Sequence, residues 1–177
     1  ANLPMVTQNK TITGIAYNPS KPSEIWATVS DYSVIFSRDI KDNNKPPAKG
    51  SYLIYSPDAG KSWKTIAESG KNGIPEFATL QQVIYAPASS GGTNAEIYIG
   101  GYGGVWNASI GANNVLSAFK SVKWEGVEPG GNFNMWNTNL EYDPVDDVII
   151  ASIMAQGAWL LERSNKVLAP AQSMEPG

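Results

Sequence analysis

The side chains that could do chemistry in this chain are carboxylates, amides and aromatic rings, because its 177 residues include neither histidine nor cysteine. Histidine-based acid–base catalysis, thiolate chemistry and zinc sites built from Cys or His are therefore excluded. Arginine occurs only at Arg38 and Arg163, and the formal net charge is −3. A nucleic-acid surface needs clustered cations, so we expect no nucleic-acid partner.

Two groups of carboxylates are candidates for catalysis or cation binding. Asp31, Asp39 and Asp42 fall in a polar stretch over residues 30–49 and could supply a carboxylate to a glycosidase-type pair. The weak calcium candidates are Asp143, Asp146 and Asp147, close to Glu141, since Ca²⁺ prefers oxygen ligands. Their spacing lacks the glycine and terminal glutamate of an EF-hand loop. Solvated turn carboxylates are the simpler interpretation, and no other cofactor is expected.

Aromatic residues beside asparagines suggest a different chemistry. Phe133 and Trp136, with Asn134 between them, could stack on a sugar ring while amides bond its hydroxyls. Trp136 could equally fill a gap between sheets. Tyr102 lies within a glycine-rich stretch, 100–104, that does not follow the phosphate-loop pattern and is typical of a tight turn.

The elements that must position these side chains recur three times. Each unit has an apolar run closed by Tyr-x-Pro, at Tyr17–Pro19, Tyr85–Pro87 and Tyr142–Pro144. Proline cannot donate to a ladder, so it indicates a strand end. Further β-rich runs follow, four per unit in the first two units and three in the last. This pattern predicts an all-β fold of about three four-stranded antiparallel blades forming an incomplete β-propeller. A generic β-sandwich is the alternative.

The predicted units are one partial propeller domain over 1–177, with blades at about 11–67, 79–124 and 137–164, the last lacking its fourth strand. Propellers close with about four to eight blades. We therefore expect the remaining blades to come from the same parent chain or from other copies. The chain opens on Ala rather than Met, which we interpret as a processed or excised product.

The sharpest motif is the octapeptide SPDAGKSW at residues 56–63, which reads S-x-D-x-G-x-x-W. It resembles the Asp-box (BNR) families, which include sialidases, xyloglucan hydrolases and sortilin-type receptors. The resemblance implies a hairpin opened by Ser56, in which Asp58 accepts backbone hydrogen bonds and Gly60 supplies a positive φ. It also implies that Trp63 packs into the core. The other two units lack the aspartate.

In propellers, ligands usually meet the face formed by the loops between second and third strands and between blades. The Asp-box turns lie on the opposite face. This arrangement nominates Tyr32, Tyr102, Phe133, Asn134 and Trp136 as a ligand face.

Two functions remain open. The leading hypothesis is a non-catalytic propeller segment that binds protein or glycan, or builds an extracellular assembly. The alternative is a fragment of a xyloglucanase- or sialidase-like glycoside hydrolase whose active site needs further blades. The resemblance to sialidases implies three arginines that bind the substrate carboxylate, and this chain has only two, so it cannot form that site alone. A charged content of 16% favours an extracellular or cell-surface location, and no run approaches the ~18 apolar residues of a membrane-spanning helix.

Overall fold

The structure is a computed structural model that describes residues 3–4, 10–30, 50–76, 78–89, 94–122, 137–153 and 157–163. Within these ranges the chain forms three antiparallel β-sheets. The first comprises β1 (Thr11–Asn18), β2 (Lys21–Ser30), β3 (Tyr52–Ser56) and β4 (Lys64–Glu68). The second comprises β5 (Thr79–Ala86), β6 (Glu96–Tyr102), β7 (Gly104–Ser109) and β8 (Lys120–Ser121). The third comprises β9 (Asn137–Asp143), β10 (Val148–Ile153) and β11 (Gly157–Glu162).

In every sheet the strands pair in chain order, each antiparallel to its neighbour. Two sheets have four strands, and the third has three among the described residues. This is the meander of a propeller blade, and the predicted fold class, an all-β partial propeller, is confirmed. None of the described residues forms a helix that is long and apolar enough to cross a membrane.

The three sheets share one register. The tyrosine of each Tyr-x-Pro segment lies opposite an isoleucine of the second strand, in the pairs Tyr17 with Ile25, Tyr85 with Ile97, and Tyr142 with Ile149. The proline that follows lies in the turn or just after the strand in each case. Positions in different sheets can therefore be compared residue by residue.

The core lies between successive sheets. The first strand of each later sheet packs on the sheet before it, β5 on β1 and β2, and β9 on β5 and β6. The indole of Trp26 in β2 stacks on the ring of Tyr85 in β5, with centroids 5.3 Å apart and planes 22° from parallel. A second apolar cluster around Tyr98 and Leu140 joins the second and third sheets. Burial of these aromatic and aliphatic side chains is the main stabilising contribution at each seam.

One glycine of the 100–104 stretch is required by close backbone packing. A Cβ at Gly101 would lie 1.8 Å from the Thr79 carbonyl oxygen. Gly101 pairs with Leu80, where a register shift places an extra residue in β5. Glycine inside a strand commonly marks such a bulge or a close backbone approach. This glycine therefore has a packing role inside β6, whereas the turn in this stretch is at Gly103, which has φ +100°.

Candidate functional site

The turn between β3 and β4 is organised by one carboxylate. Asp58 Oδ1 accepts hydrogen bonds from Ser56 Oγ at 2.9 Å and from the Ser62 backbone N–H at 2.8 Å. Asp58 Oδ2 accepts one from Ser62 Oγ at 2.6 Å. Both carboxylate oxygens of Asp58 are thus bonded by side-chain and backbone donors within the turn.

These hydrogen bonds stabilise the ionised form of Asp58. The Ser62 hydroxyl, followed by the Ser62 backbone N–H, lowers the pKa of Asp58 from 3.8 to about 2. A group with so low a pKa stays ionised near neutral pH and is a poor proton donor. Asp58 is therefore suited to holding the turn.

Backbone geometry explains the glycine and the tryptophan of this turn. Gly60 has φ +84°, and its N–H donates to Ser56 Oγ at 2.8 Å. Trp63 Nε1 donates to the Gly60 carbonyl oxygen at 3.1 Å. The Trp63 side chain is half-buried and packs against a small cluster of Ala27, Val29 and Ile54. It lies at the margin of the core, more exposed than the resemblance implies.

A groove of about 440 Å³ lies beside this turn, and polar and aromatic residues of the first two sheets line it. The Lys64 ammonium lies 5.3 Å from the centre of the Tyr55 ring, within cation–π range. Lys21, Trp63, Asn113 and Asn114 also line the groove. These residues come from distant segments, and for that reason the groove has no signature in the sequence. It lies at the same end of the sheets as the Ser56–Trp63 turn.

A buried carboxylate joins the first two sheets. Glu24, at the start of β2, accepts hydrogen bonds from Asn18 at 3.0 Å, Lys21 at 2.6 Å and Asn114 at 2.8 Å. Asn114 belongs to the connection between β7 and β8 and also donates to the Tyr55 hydroxyl at 2.7 Å. Burial raises the pKa of Glu24, but these hydrogen bonds outweigh it and leave the pKa below its usual value.

A second buried carboxylate site joins the second and third sheets. Arg163, directly after β11, has a side chain that is 1% exposed. Its Nη1 donates to Asp147 Oδ1 at 2.7 Å, its Nε to Glu96 Oε2 at 3.2 Å, and its Nη2 to the Pro87 carbonyl oxygen at 2.8 Å. The guanidinium carbon also lies 5.4 Å from the centre of the Tyr142 ring. Glu96 in addition accepts hydrogen bonds from Tyr98 and Asn107.

Glu24 and Glu96 occupy the same position of the repeat, one residue before the isoleucine that faces the Tyr-x-Pro tyrosine. Each is bonded by a side chain of the next sheet, Asn114 or Arg163. We call Glu24 and Glu96 the seam carboxylates. Sequence reasoning missed them, although a glutamate at the start of the second run in two units was a usable signal. With both carboxylates hydrogen-bonded between sheets, their role is structural.

The calcium candidates lie in and beside the turn between β9 and β10, where they do not converge. Asp143 Oδ1 accepts a hydrogen bond from the Val145 backbone N–H at 2.8 Å, and Asp146 is exposed. Asp147 is buried and is bonded to Arg163 and to the Tyr142 hydroxyl. Among the described residues, no three acidic side chains are grouped so that they could hold a metal ion. Calcium binding stays a prediction.

Of the predicted ligand face, the structure describes Tyr102 alone. This residue is half-buried at the end of β6, beside the turn into β7 and at the opposite end of the sheets from the Ser56–Trp63 turn. Tyr32, Phe133, Asn134 and Trp136 lie outside the described residues, as do Asp31, Asp39 and Asp42. The grouping of these residues into one site stays a prediction.

Comparison with known proteins supports the fold. No family model matches the chain, and no curated protein matches it in sequence. Among solved structures, it is similar to an ancestral GH74 enzyme with a TM-score of 0.51 and 18% identity, covering 82% of this chain and 17% of that one. A second similar structure is Sqt1 from Chaetomium thermophilum, with a TM-score of 0.44 and 18% identity, covering 87% of this chain and 33% of that one. The similarity to the GH74 enzyme, together with the three antiparallel sheets, shows the fold of a partial β-propeller. The chain spans one third or less of the length of each of these proteins.

Proposed function

We propose that this chain is a segment of an Asp-box propeller that binds a protein or glycan, or takes part in an extracellular assembly, without catalysing a reaction. The observation that carries this proposal is how four of the described carboxylates are used. Glu24, Glu96 and Asp147 are buried or half-buried and bonded between or within sheets, and Asp58 is held by its own turn. A glycosidase needs a pair of carboxylates facing a cleft, one of them able to donate a proton.

The geometry of residues 56–63 supports the Asp-box assignment. A serine, an aspartate and a positive-φ glycine close the hairpin through the side-chain bonds described above, and the tryptophan covers the glycine. This is the role that the resemblance implies for Ser56, Asp58 and Gly60, whereas Trp63 lies at the margin of the core. This role makes the turn a folding element, and we propose a binding surface away from it.

We assign the binding surface to the opposite end of the blades, where Tyr102 lies, and assign to it as well Tyr32, Phe133, Asn134 and Trp136. Aromatic rings flanked by amides suit sugar recognition because the ring packs on the apolar face of a sugar while amides bond its hydroxyls. A protein ligand rich in polar groups would use the same side chains.

A glycan array followed by isothermal titration with the best ligand tests the proposal. We expect Trp136→Ala to weaken binding at least tenfold, and Trp136→Phe to weaken it less because a ring is kept. Val145→Ala is the matched control, since Val145 is an exposed apolar residue at the other end of the blades. Equal binding by Trp136→Ala and the wild type would refute this surface.

The second candidate function is a part of a glycoside hydrolase. The structural similarity to an ancestral GH74 enzyme favours it, and Asp31, Asp39 or Asp42 would supply one carboxylate to a site completed by further blades. A reducing-sugar assay on xyloglucan and other β-glucans separates the candidates. Turnover that Asp31→Asn, Asp39→Asn or Asp42→Asn abolishes would establish the enzyme and overturn the binding proposal.

A further inference from the structure

The first strand presents an apolar face to solvent. Ile15 and Tyr17, at alternate positions of β1, are 65% and 57% exposed. Alternate residues of a strand point to the same side of the sheet. We call Ile15 and Tyr17 the leading face. Exposed apolar side chains grouped in this way mark an interaction surface.

The same two positions are covered in the later sheets. Val83 and Leu140, which correspond to Ile15, are each 3% exposed. Tyr85 and Tyr142, which correspond to Tyr17, are half-buried. The exposure of the leading face is therefore a consequence of its place in the series of sheets and not of its residue types.

An aromatic side chain from the preceding sheet provides that cover. Trp26 in β2 stacks on Tyr85 at 5.3 Å. Tyr98, which occupies the position of Trp26 in the second sheet, belongs to the cluster that contains Leu140 and Tyr142. Each seam thus places the second strand of one sheet on the first strand of the next.

The third sheet presents the other half of this contact. Ile150 in β10 occupies the repeat position of Trp26 and Tyr98, and its side chain is half-buried. Leu160, which pairs with Ile150 from β11, is 64% exposed. Tyr55, which corresponds to Leu160 in the first sheet, is buried at the seam. We call Ile150 and Leu160 the trailing face.

We propose that the leading face of one copy of this chain packs on the trailing face of a second copy, so that Ile150 covers the Tyr17 ring. We choose a second copy as the partner because each chain has both a leading and a trailing face. Contacts of the same kind already join the first sheet to the second and the second sheet to the third within one chain. The association is head to tail, and two such junctions between two copies close a ring of six blades, within the range of about four to eight. The proposal holds whether or not the chain binds a glycan.

Sedimentation equilibrium over a hundredfold concentration range tests this assembly. We expect a species of twice the 19.0 kDa chain mass that dissociates on dilution. A mass of one chain at every concentration would overturn the second copy as occupant, and would leave further blades of a longer polypeptide to cover both faces.

Charge variants of each face test the head-to-tail arrangement. Tyr17→Asp and Leu160→Asp should each give monomers with an unchanged circular dichroism spectrum, since every junction needs one leading and one trailing face. Mixing the two variants should restore one of the two junctions, between the leading face of Leu160→Asp and the trailing face of Tyr17→Asp, so a dimer weaker than that of the wild type is expected. Val145→Asp, at an exposed apolar residue outside both faces, should dimerise like the wild type. A dimer formed by Leu160→Asp alone would indicate two leading faces in contact and contradict the proposal.

Discussion

Arg163 and Glu96 are 67 positions apart in the chain, yet Arg163 Nε lies 3.2 Å from Glu96 Oε2 at the seam between the second and third sheets. The same guanidinium is paired with Asp147 at 2.7 Å. One arginine thus ties the start of β6 to the turn before β10. Its planar fork of donors suits two carboxylates and a carbonyl oxygen at once, which a lysine ammonium could not match in geometry.

Replacing this arginine should be strongly destabilising. Arg163→Met leaves the carboxylates of Glu96 and Asp147 desolvated without a counter-charge, which should lower the free energy of unfolding by about 3–5 kcal/mol. Urea denaturation at pH 7 measures this fall in the free energy of unfolding. Lys71→Met is the control, because Lys71 pairs with Glu68 at the surface and is 72% exposed, so little change is expected. Equal effects of the two substitutions would mean that the buried network contributes nothing beyond a surface pair.

The two tryptophans of the first sheet should differ in their contribution to stability. Trp26 is fully buried and stacked on Tyr85, so Trp26→Ala should cost about 3–5 kcal/mol. Trp63 is half-buried at the margin of the core, so Trp63→Ala should cost roughly 1–3 kcal/mol. Chemical denaturation of both variants measures the two losses in the free energy of unfolding. A larger loss for Trp63→Ala would restore the central packing role that the Asp-box resemblance implies.

The repeat made the fold predictable from the sequence. Proline ends a strand because it cannot donate a hydrogen bond to the ladder, and a Tyr-x-Pro segment marks such a strand end in each of the three units. The contacts between neighbouring sheets were harder to predict from the sequence. Asn114 reaches Glu24 across 90 positions, and no local pattern records such a contact. The half-burial of Trp63 likewise depends on what packs around the turn. Of the predicted ligand face, the position of Tyr102 beside a turn followed from its glycine neighbours, whereas the other residues lie outside the described ranges.

Gly101 should tolerate no side chain. In Gly101→Ala the new methyl group would collide with the Thr79 carbonyl, and flexible side-chain movement cannot relieve a clash with backbone. Overpacking of this kind costs typically about 1–3 kcal/mol. Gly111→Ala is the matched control, since its Cβ would meet only the Val115 carbonyl oxygen at 3.2 Å and its φ is −87°. Thermal denaturation should therefore show a lower Tm for Gly101→Ala than for Gly111→Ala, and the reverse order would contradict the tight packing of β5 on β6.

The stability of the fold at low pH should depend on Asp58. Its pKa is lowered to about 2 in the folded chain from an ordinary 3.8, so the ionised form favours folding. The stabilisation is complete above the unfolded-state value and is lost as the pH falls from about 3.8 to about 2. Carbon-13 NMR titration should place the Asp58 carboxyl near the lower value in the wild type. Ser62→Ala should raise that pKa, because the Ser62 hydroxyl is the strongest cause of the shift.

Ser20→Ala, in the exposed turn between β1 and β2 at the same end of the sheet, is the control and should leave the Asp58 titration unchanged. Urea midpoints followed from pH 5 to pH 2 should fall less steeply in Asp58→Asn than in the wild type, since the variant has no carboxylate to protonate at this position. A folded-state titration of Asp58 near 3.8, or identical acid dependence of the two proteins, would show that the hydrogen bonds of the turn do not act on this carboxylate.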